Sequence, residues 1–598
     1  MTSLLRALRL LVSTSIRVAP VASLGCLAEV AGVLVALLQP WSLALFIAGA
    51  TAGDQHRMIT AAALFVGQIA LSRLLFMIGI SSRINQMERV GATFAAEIAR
   101  VTATIPTVDH LDDPRYLDQL QILRERSGAI GLAVNTLLNQ LNSVVGVVGV
   151  LIMAASADPR MLVVALAGVP TVLAGPIVAR WRGRAEAASA EPGRLARALL
   201  RLGIDPEHFG EVRVFGLADG LRARLRAAAR AWRRPLVIVA VREAGLTAIT
   251  QVLFFSVAAA VIALLVGDTL AGRADIVGLT LALLLVTRLQ NVSGELRGVV
   301  SELADMTRTA GRFLWLLDAA DRITADHIGA EEPPRRPGRL SLSGVSYHYP
   351  GSERAALAGI TLDLAPGTVL AVVGENGAGK STLAEVITGL RTATAGAITV
   401  GGADLTTLDV AAWQARLSGA FQDHVRFELI LSETVGIGDL PRRDDQQAVR
   451  AGIRAGAAEA VVDTVPAGLA TQLGASWPGG IDLSGGQWQR LAIARGMMRD
   501  APLIRVLDEP TAALDAITEH QLFDRYAAAA RSGRETGTIT ILITHRFSTV
   551  ASADVIAVLD HGRLIEYGSH DDLIAAGGHY AELYELQARG YRPSDGGR

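Results

Sequence analysis

The chain is 598 residues long, material for about four domains of ordinary size. Hydrophobic residues make up 51% and charged residues 19%, below the ~25% of an average soluble domain, and mean hydropathy is +0.37. This excludes an intrinsically disordered chain; a formal net charge of −1 gives no global basic field for nucleic acid; and one cysteine, Cys26, excludes an intramolecular disulfide or a multi-cysteine zinc site.

Six membrane-length segments lie in the first half, at roughly 18–50, 58–82, 129–157, 160–181, 236–267 and 275–300. Each approaches or exceeds the ~20 residues a bilayer-spanning helix needs, and the longer ones imply tilt or extension beyond the bilayer. Unbroken apolar runs without period-2 alternation predict helices rather than a barrel. The first run is too long for a cleaved signal peptide.

Arginine placement orients these helices. Residues 180–234 carry thirteen arginines and 83–126 carry six, whereas the short connections at 54–57, 158–160 and 268–275 carry one each. The positive-inside rule places both long connections and both termini in the cytoplasm, against the alternative that long loops cross regardless of charge. Turn signals at Leu111-Asp112-Asp113-Pro114 and Gly203-Ile204-Asp205-Pro206 divide each long connection into two helices joined by a short transverse tip. Tyr116 to Leu123 reads as a short amphipathic helix, and Glu211 to Leu217 has the same character.

A polar, Pro-rich stretch over 326–338 reads as a linker. Beyond it, 339–590 alternates strand-like and helical runs, with strands expected at Val369–Val373, Leu503–Leu507 and Thr538–Ile543 in a buried, largely parallel sheet. Gly374-Glu375-Asn376-Gly377-Ala378-Gly379-Lys380-Ser381-Thr382 fits G-x-x-x-x-G-K-[ST] between a strand and a helix. Backbone N–H groups of such a loop turn inward around phosphates, Lys380 reaches the outer phosphates, and Ser381 offers its hydroxyl to Mg²⁺. Of the 56 basic residues, 55 are arginine; the single lysine falls where a compact ammonium fits better than a planar fork.

Leu503 to Glu509 reads as a strand tipped by two acids, Asp508 to hold Mg²⁺ and Glu509 to polarise an attacking water, or else as an ordinary strand-end carboxylate pair. Arg505 is awkward in a buried strand and is expected near its start, its head group reaching an acid or solvent. Leu483-Ser484-Gly485-Gly486-Gln487 precedes a helical run, Trp488–Met498.

This ordered set resembles the ATP-binding-cassette (ABC) transporters over nearly the whole chain. The resemblance implies a multi-domain membrane protein: a six-helix transmembrane domain with two cytoplasmic coupling loops (1–325), a linker (326–338), an α/β P-loop cassette (339–590) and a tail (591–598). It implies ATP and Mg²⁺ as ligands. Tyr349 looks like the aromatic that stacks on adenine, and Gln422 like the glutamine that senses γ-phosphate and metal. Ala513-Leu514-Asp515 looks like the loop crossing between cassettes, and His545 like the switch histidine. Paired cassettes would sandwich ATP between one subunit's Lys380 loop and the other's Ser484, Gly485, Gly486 and Gln487, making a dimer with a second half-transporter, identical or not, obligatory.

Membrane helices ahead of the cassette look like the exporter type, a multi-pass protein of the cytoplasmic membrane that hydrolyses ATP to export an amphipathic peptide, lipid or drug-like compound. Import of a siderophore-like molecule and a non-transport role are the alternatives. The glutamate that exporters place before the signature is missing; between Gly474 and Leu483 the only acid is Asp482. Phe421 to Phe427 and Trp488-Gln489-Arg490 look like actinobacterial peptide or multidrug exporters. With about 17 residues ahead of the first span, no N-terminal peptidase domain is expected. Polar residues within the spans either face a substrate cavity or bond between helices: Gln68, Arg73, Asn135, Gln140, Asn142, Gln251, Arg288, Gln290 and Asn291, with Arg242 and Glu243 placed to pair.

Overall fold

The computed structural model describes the chain outside residues 1, 126, 206–207, 274–275, 326, 328, 330, 509–533, 545–549 and 592–598. At 2–5, 7–8, 122, 124–125, 127–134, 297, 299–308 and 587–591 it describes the backbone alone. The chain forms two compact units: Met1–Arg100 with Gln121–Leu316, and Val101–Leu120 with Leu317–Arg598.

The first unit is helical. It opens with α1 (Thr2–Val18), an amphipathic helix that hydropathy alone misses because Arg6, Arg9 and Arg17 interrupt its apolar stripe; Leu11 and Ser15 are its buried side. The first span is two helices, α2 (Pro20–Leu37) and α3 (Gln39–Ala52), broken at Leu38 because Pro40 has no N–H to continue the ladder. It ends at Gly53, whose φ of +67° supplies the left-handed cap.

Then come α4 (Gln55–Thr104), α5 (Pro114–Glu125), α6 (Ser127–Ala157), α7 (Met161–Ala167), α8 (Val169–Ile204), α9 (Phe209–Val214), α10 (Ala218–Leu270) and α11 (Ile276–Ala325). Among the described residues six helical stretches are long and apolar enough to cross a membrane. α6, α10 and α11 share a core built from Val150, Ala154, Phe254, Ala258, Leu285 and Leu289.

Charge is managed differently at the two kinds of connection. Each arginine of the short connections meets an aspartate: Arg57 with Asp54 at 3.0 Å, Arg160 with Asp158 and Asp268 at 3.0 and 2.8 Å, and Arg273 with Asp268 at 3.0 Å. The thirteen arginines of 180–234 face only six acids, so uncompensated positive charge sits there. Glu243 pairs with Arg182 at 2.7 Å and not with its neighbour Arg242, since adjacent helical residues point apart.

The second unit holds two sheets. An antiparallel one has the order β2-β1-β4-β5, from β1 (Leu340–His348), β2 (Ala355–Leu364), β4 (Ala395–Val400) and β5 (Ala403–Asp404). The other, β10-β9-β3-β8-β7-β6, joins β3 (Val369–Val373), β6 (Ser418–Ala420), β7 (Ile504–Asp508), β8 (Ile539–Ile543), β9 (Val555–Asp560) and β10 (Arg563–Gly568). β3, β7 and β8 are buried throughout, which is why their unbroken apolar runs read as strands; only β10 pairs antiparallel. The helices are α12 (Lys380–Ile387), α13 (Val410–Gln414), α14 (Leu431–Gly436), α15 (Gln446–Ala455), α16 (Glu459–Thr464) and α17 (Gly485–Gly496), followed by His570–Ala576 and His579–Tyr591.

Segment 101–120, the tip of the first long connection, belongs to this unit, and Arg391 ties it there. Its guanidinium meets Glu385 at 2.6 Å, Asp109 at 3.3 Å and Asp112, and donates to the Tyr347 hydroxyl at 3.0 Å. Tyr347 in turn donates to Asp109 at 2.6 Å. Thr392 N–H donates to Asp109, Val108 N–H to the Leu390 carbonyl, and the Gln414 amide to the Pro106 carbonyl. Burial opposes the charge on Arg391, and the hydrogen bonds to Glu385, Asp112 and Tyr347 more than offset it.

Arg505 sits second in β7, as expected, but it is only 6% exposed, and Asp500 acts on it through space and forms no ion pair with it. Nη2 donates to the Arg499 carbonyl at 3.2 Å, Nε has no acceptor among the described residues, and desolvation holds its pKa below the usual range.

Two stability outcomes follow. Arg391→Ala leaves three carboxylates facing one another and should cost on the order of 2 kcal/mol, below the ~3–5 of fully buried pairs because each carboxylate stays about 30% exposed. The check is a lower thermal midpoint with faster proteolysis within 105–113. Arg505→Met, of similar volume, should leave the midpoint unchanged or raise it, by up to about 1 kcal/mol; a clear drop would show that the Arg499 contact matters more than the desolvation.

Candidate active site

β3 delivers the chain into the glycine loop. Gly374 (φ +149°) passes so close to β9 that a Cβ would lie 2.2 Å from the Leu559 carbonyl oxygen, and at Gly379 (φ +99°) one would lie 2.6 Å from that of Ala356. Lys380 starts α12 and is 7% exposed; its Nζ donates to the carbonyls of Gly374 and Glu375 at 2.9 and 3.0 Å, holding the ammonium inside the loop.

Above the loop is a cavity of about 660 Å³ lined by Tyr349, Ala356, Asn376, Gly377, Gly379, Lys380, Ser381, Thr382 and Gln422. Its size suits a nucleotide. The loop fits phosphates: φ values of +82° at Gly377 and +99° at Gly379 curl it over the N-terminus of α12 with Lys380 at its centre. Ser381 and Gln422 bring neutral oxygens to the same space, the donor chemistry that Mg²⁺ accepts beside phosphate.

Tyr349 is pre-set at the rim. Its hydroxyl bonds Thr382 Oγ1 at 3.0 Å, its ring stands edge-on to Tyr347 at 5.2 Å, and the Arg391 guanidinium lies 4.7 Å from the ring centre. One arginine therefore holds both the docked tip and the rim aromatic. Nothing in the sequence marks Arg391: Asp109, Asp112 and Tyr347 lie far away in the chain, and Glu385, six residues before it, completes no motif.

Asp508 ends β7, 6% exposed, and pairs in register with Ile543 at the edge of the sheet where β3 releases its loop. Gln422 follows β6, the strand beside β7. Burial pushes the pKa of nearby His424 down, and Arg495 and Arg426 add to the fall. Glu509, Asp515 with Ala513 and Leu514, and His545 lie outside the described residues.

The signature turn does not line this cavity. Ser484 caps α17 in a capping box: its hydroxyl accepts from Gln487 N–H, and Gln487 Oε1 accepts from Ser484 N–H at 2.8 Å. Trp488, 2% exposed, anchors the helix in its own core, while Ser484 and Gly485 are exposed. The preceding loop does receive an acid that its own sequence lacks. Glu428 accepts a hydrogen bond from Ser476 and packs against Gly474, and Asp482 accepts from Leu483 N–H at 2.9 Å.

The polar residues of the spans divide. Gln68 bonds Ser42 at 2.6 Å between helices, and Gln140 is buried. Arg73 is exposed on α4, and Asn135, Gln251 and Gln290 are half-buried. Asn142, Arg288 and Asn291 share a second cavity. Hydropathy hides one node: Glu29 on α2 meets Arg83 on α4 at 3.3 Å, and Arg83 donates to Asn139 on α6 at 2.5 Å.

A family model described as "ABC transporter" matches residues 357–512. Relatives include an "ATP-dependent lipid A-core flippase" of Aromatoleum aromaticum, 35% identical over 381 residues, 63% of this chain and 60% of that protein. One of the same name from Dechloromonas aromatica is 31% identical over 487 residues, 81% of this chain and 80% of that one. The match thus spans less than two thirds of the Aromatoleum protein. Among solved structures, a bacterial Atm1-family ABC exporter with ATP bound is 25% identical with a TM-score of 0.68, covering 97% of this chain and 99% of that one. The chain belongs to the ABC transporter family and has the fold of its exporters: among the described residues, six helices long and apolar enough to cross a membrane precede one ATPase cassette.

Proposed function

We propose that the chain is half of an ATP-driven exporter that moves an amphipathic substrate out across the cytoplasmic membrane by alternating access, its two termini in the cytoplasm. One observation carries the reading: Lys380, Ser381, Tyr349 and Gln422 share a cavity that the Ser484 turn of the same chain does not line. A complete site therefore takes its signature turn from a second half-transporter. The exposed apolar tip around α9, with Val214 82% and Phe215 68% accessible, suits docking on that partner's cassette.

In this reading Tyr349 stacks on adenine, the 374–382 loop holds the phosphates, and Asp515 and the partner's signature close the site. Glu509 takes a proton from the attacking water, Gln422 orients it, and Lys380 and His545 stabilise charge on the outer phosphate. Ser381, Gln422 and Asp508 would hold Mg²⁺, which would supply positive charge to the bound phosphates. The flippase names of the relatives favour a lipid among the amphipathic classes.

Inside-out vesicles holding the protein should accumulate a fluorescent amphiphile only with ATP, and Glu509→Gln should lower ATP turnover at least about 100-fold and abolish accumulation. ATP-dependent loss of preloaded compound would mean import, and ATPase surviving Glu509→Gln would remove the assigned base. Lys380→Ala and Ser484→Arg should each inactivate a homodimer, yet mixed dimers of the two should regain one intact site and up to about half the turnover. No recovery in verified mixed dimers would overturn the shared-site arrangement; failure of the purified chain to self-associate would point to a different second half.

A further inference from the structure

The helical unit contains a cavity of about 280 Å³ whose lining changes character along its length. On α11 it is bordered by Arg288, Asn291 and Glu295, spaced three and four residues apart and so on one helix face. On α6 it is bordered by Asn142 at one end and by Val150 and Met153 two to three turns further on. α6 and α11 are separated by an odd number of crossings and run in opposite directions. The charged end therefore gathers Asn142, Asn291, Arg288 and Glu295, and Met153 and Leu285 close the other end.

Three features make this more than packing. Arg288 lies twelve residues, about 18 Å, along α11 from Ile276, within an apolar stretch where a guanidinium facing hydrocarbon would be costly, and it borders the cavity instead. Neither Arg288 nor Glu295 forms an ion pair or hydrogen bond among the described residues; the two are seven residues apart, about 10 Å along the axis. Asn142 Oδ1 is buried there without a partner among the described residues. A cation, an anion and an open acceptor thus face one space with an apolar floor.

Resting on the export reading above, we infer that this cavity is a head-group subsite for a zwitterionic lipid. A phosphate would engage the Arg288 fork, a primary ammonium would engage Glu295 and Asn142, and the first methylenes of the chain would lie against Val150 and Met153. The volume is at the lower limit of ligand pockets, so it seats a head group and not a whole two-chain lipid. Glu295 gives the subsite its selectivity: a purely anionic head group brings its charge to a carboxylate, and a purely cationic one meets Arg288.

The test is direct binding to the detergent-solubilised full chain of three single-chain probes, lysophosphatidylethanolamine, lysophosphatidylglycerol and an alkylamine, with a zwitterionic dipeptide as competitor. The wild type should bind lysophosphatidylethanolamine about tenfold more tightly than either of the others. Glu295→Gln should erase the preference over lysophosphatidylglycerol, Arg288→Gln should erase that over the alkylamine, and Arg288→Lys and Glu295→Asp should largely keep both. Size-exclusion profile and thermal midpoint identify any variant that fails to fold, in which case the conservative pair and Asn142→Leu, expected to weaken ethanolamine binding several-fold, decide. Equal affinity for all three probes, variants that bind like wild type, or displacement by the dipeptide as effective as by lipid would overturn the subsite. Binding requires no ATP, so these outcomes are independent of the vesicle assay. A wild type that binds as expected but moves nothing would leave the subsite standing and remove the export reading.

Discussion

The second unit depends on one largely enclosed guanidinium, 10% exposed. Arg391 satisfies Glu385 on the helix that Lys380 begins, Asp109 and Asp112 on the tip of a membrane-helix connection, and the hydroxyl of Tyr347, while its face lies over Tyr349. A lysine could balance the charge but could not present a fork to carboxylates and a plane to an aromatic ring at once. Tyr349 bonds Thr382, two residues after Lys380. The loop, its helix, the rim aromatic and the docked tip are therefore joined by consecutive polar contacts, and a shift in any one is felt at the same arginine.

The signature turn follows the opposite design. Its hydroxyl is engaged within its own capping box, and Trp488 fixes α17 from behind, so its helix N-terminus is rigid and presented outward. A helix end of this kind attracts anions but offers little to bind a nucleotide by itself. The Lys380 loop, by contrast, is a cradle in which Gly374 is packed against β9 and Gly379 against β2, with no room for a side chain at either. The two halves differ in what each lacks. The cradle is walled and the exposed turn is not, and the proposed pairing of two cassettes rests on that difference.

What could be read in advance follows from how local each signal is. β3, β7 and β8 are buried on both faces, so continuous apolar runs marked them to within about a residue at each end. The phosphate loop was legible because glycines and one lysine must occur at fixed spacing between a strand and a helix. The antiparallel sheet was not, since β1 and β2 are broken by register shifts that interrupt alternation. α1 escaped because arginines lower its average hydropathy, and the break at Leu38 escaped because one proline does little to a long apolar run. Arg391 reaches Asp109, Asp112 and Tyr347, and Glu428 reaches Ser476, across stretches of chain too long for a local window to contain both ends.

The helical unit shows why polarity in a membrane helix must be read by partner rather than by residue type. Glu29, Arg83 and Asn139 form a node joining α2, α4 and α6, and Gln68 is spent on Ser42. These groups pair with one another between helices, although Glu29 Oε2 stays without a partner among the described residues. Gly79 lies against this node so closely that a Cβ would fall 2.5 Å from that of Glu29, so the helices approach there because a side chain is missing. Arg288 and Glu295 act on each other only through space, Asn142 Oδ1 has no partner among the described residues, and all three border a cavity. In a medium that supplies no water to unpaired groups, polar atoms left open to a cavity carry a cost that packing does not return. That contrast, and not the count of polar residues, separates the framework of the bundle from the part of it shaped to receive something else.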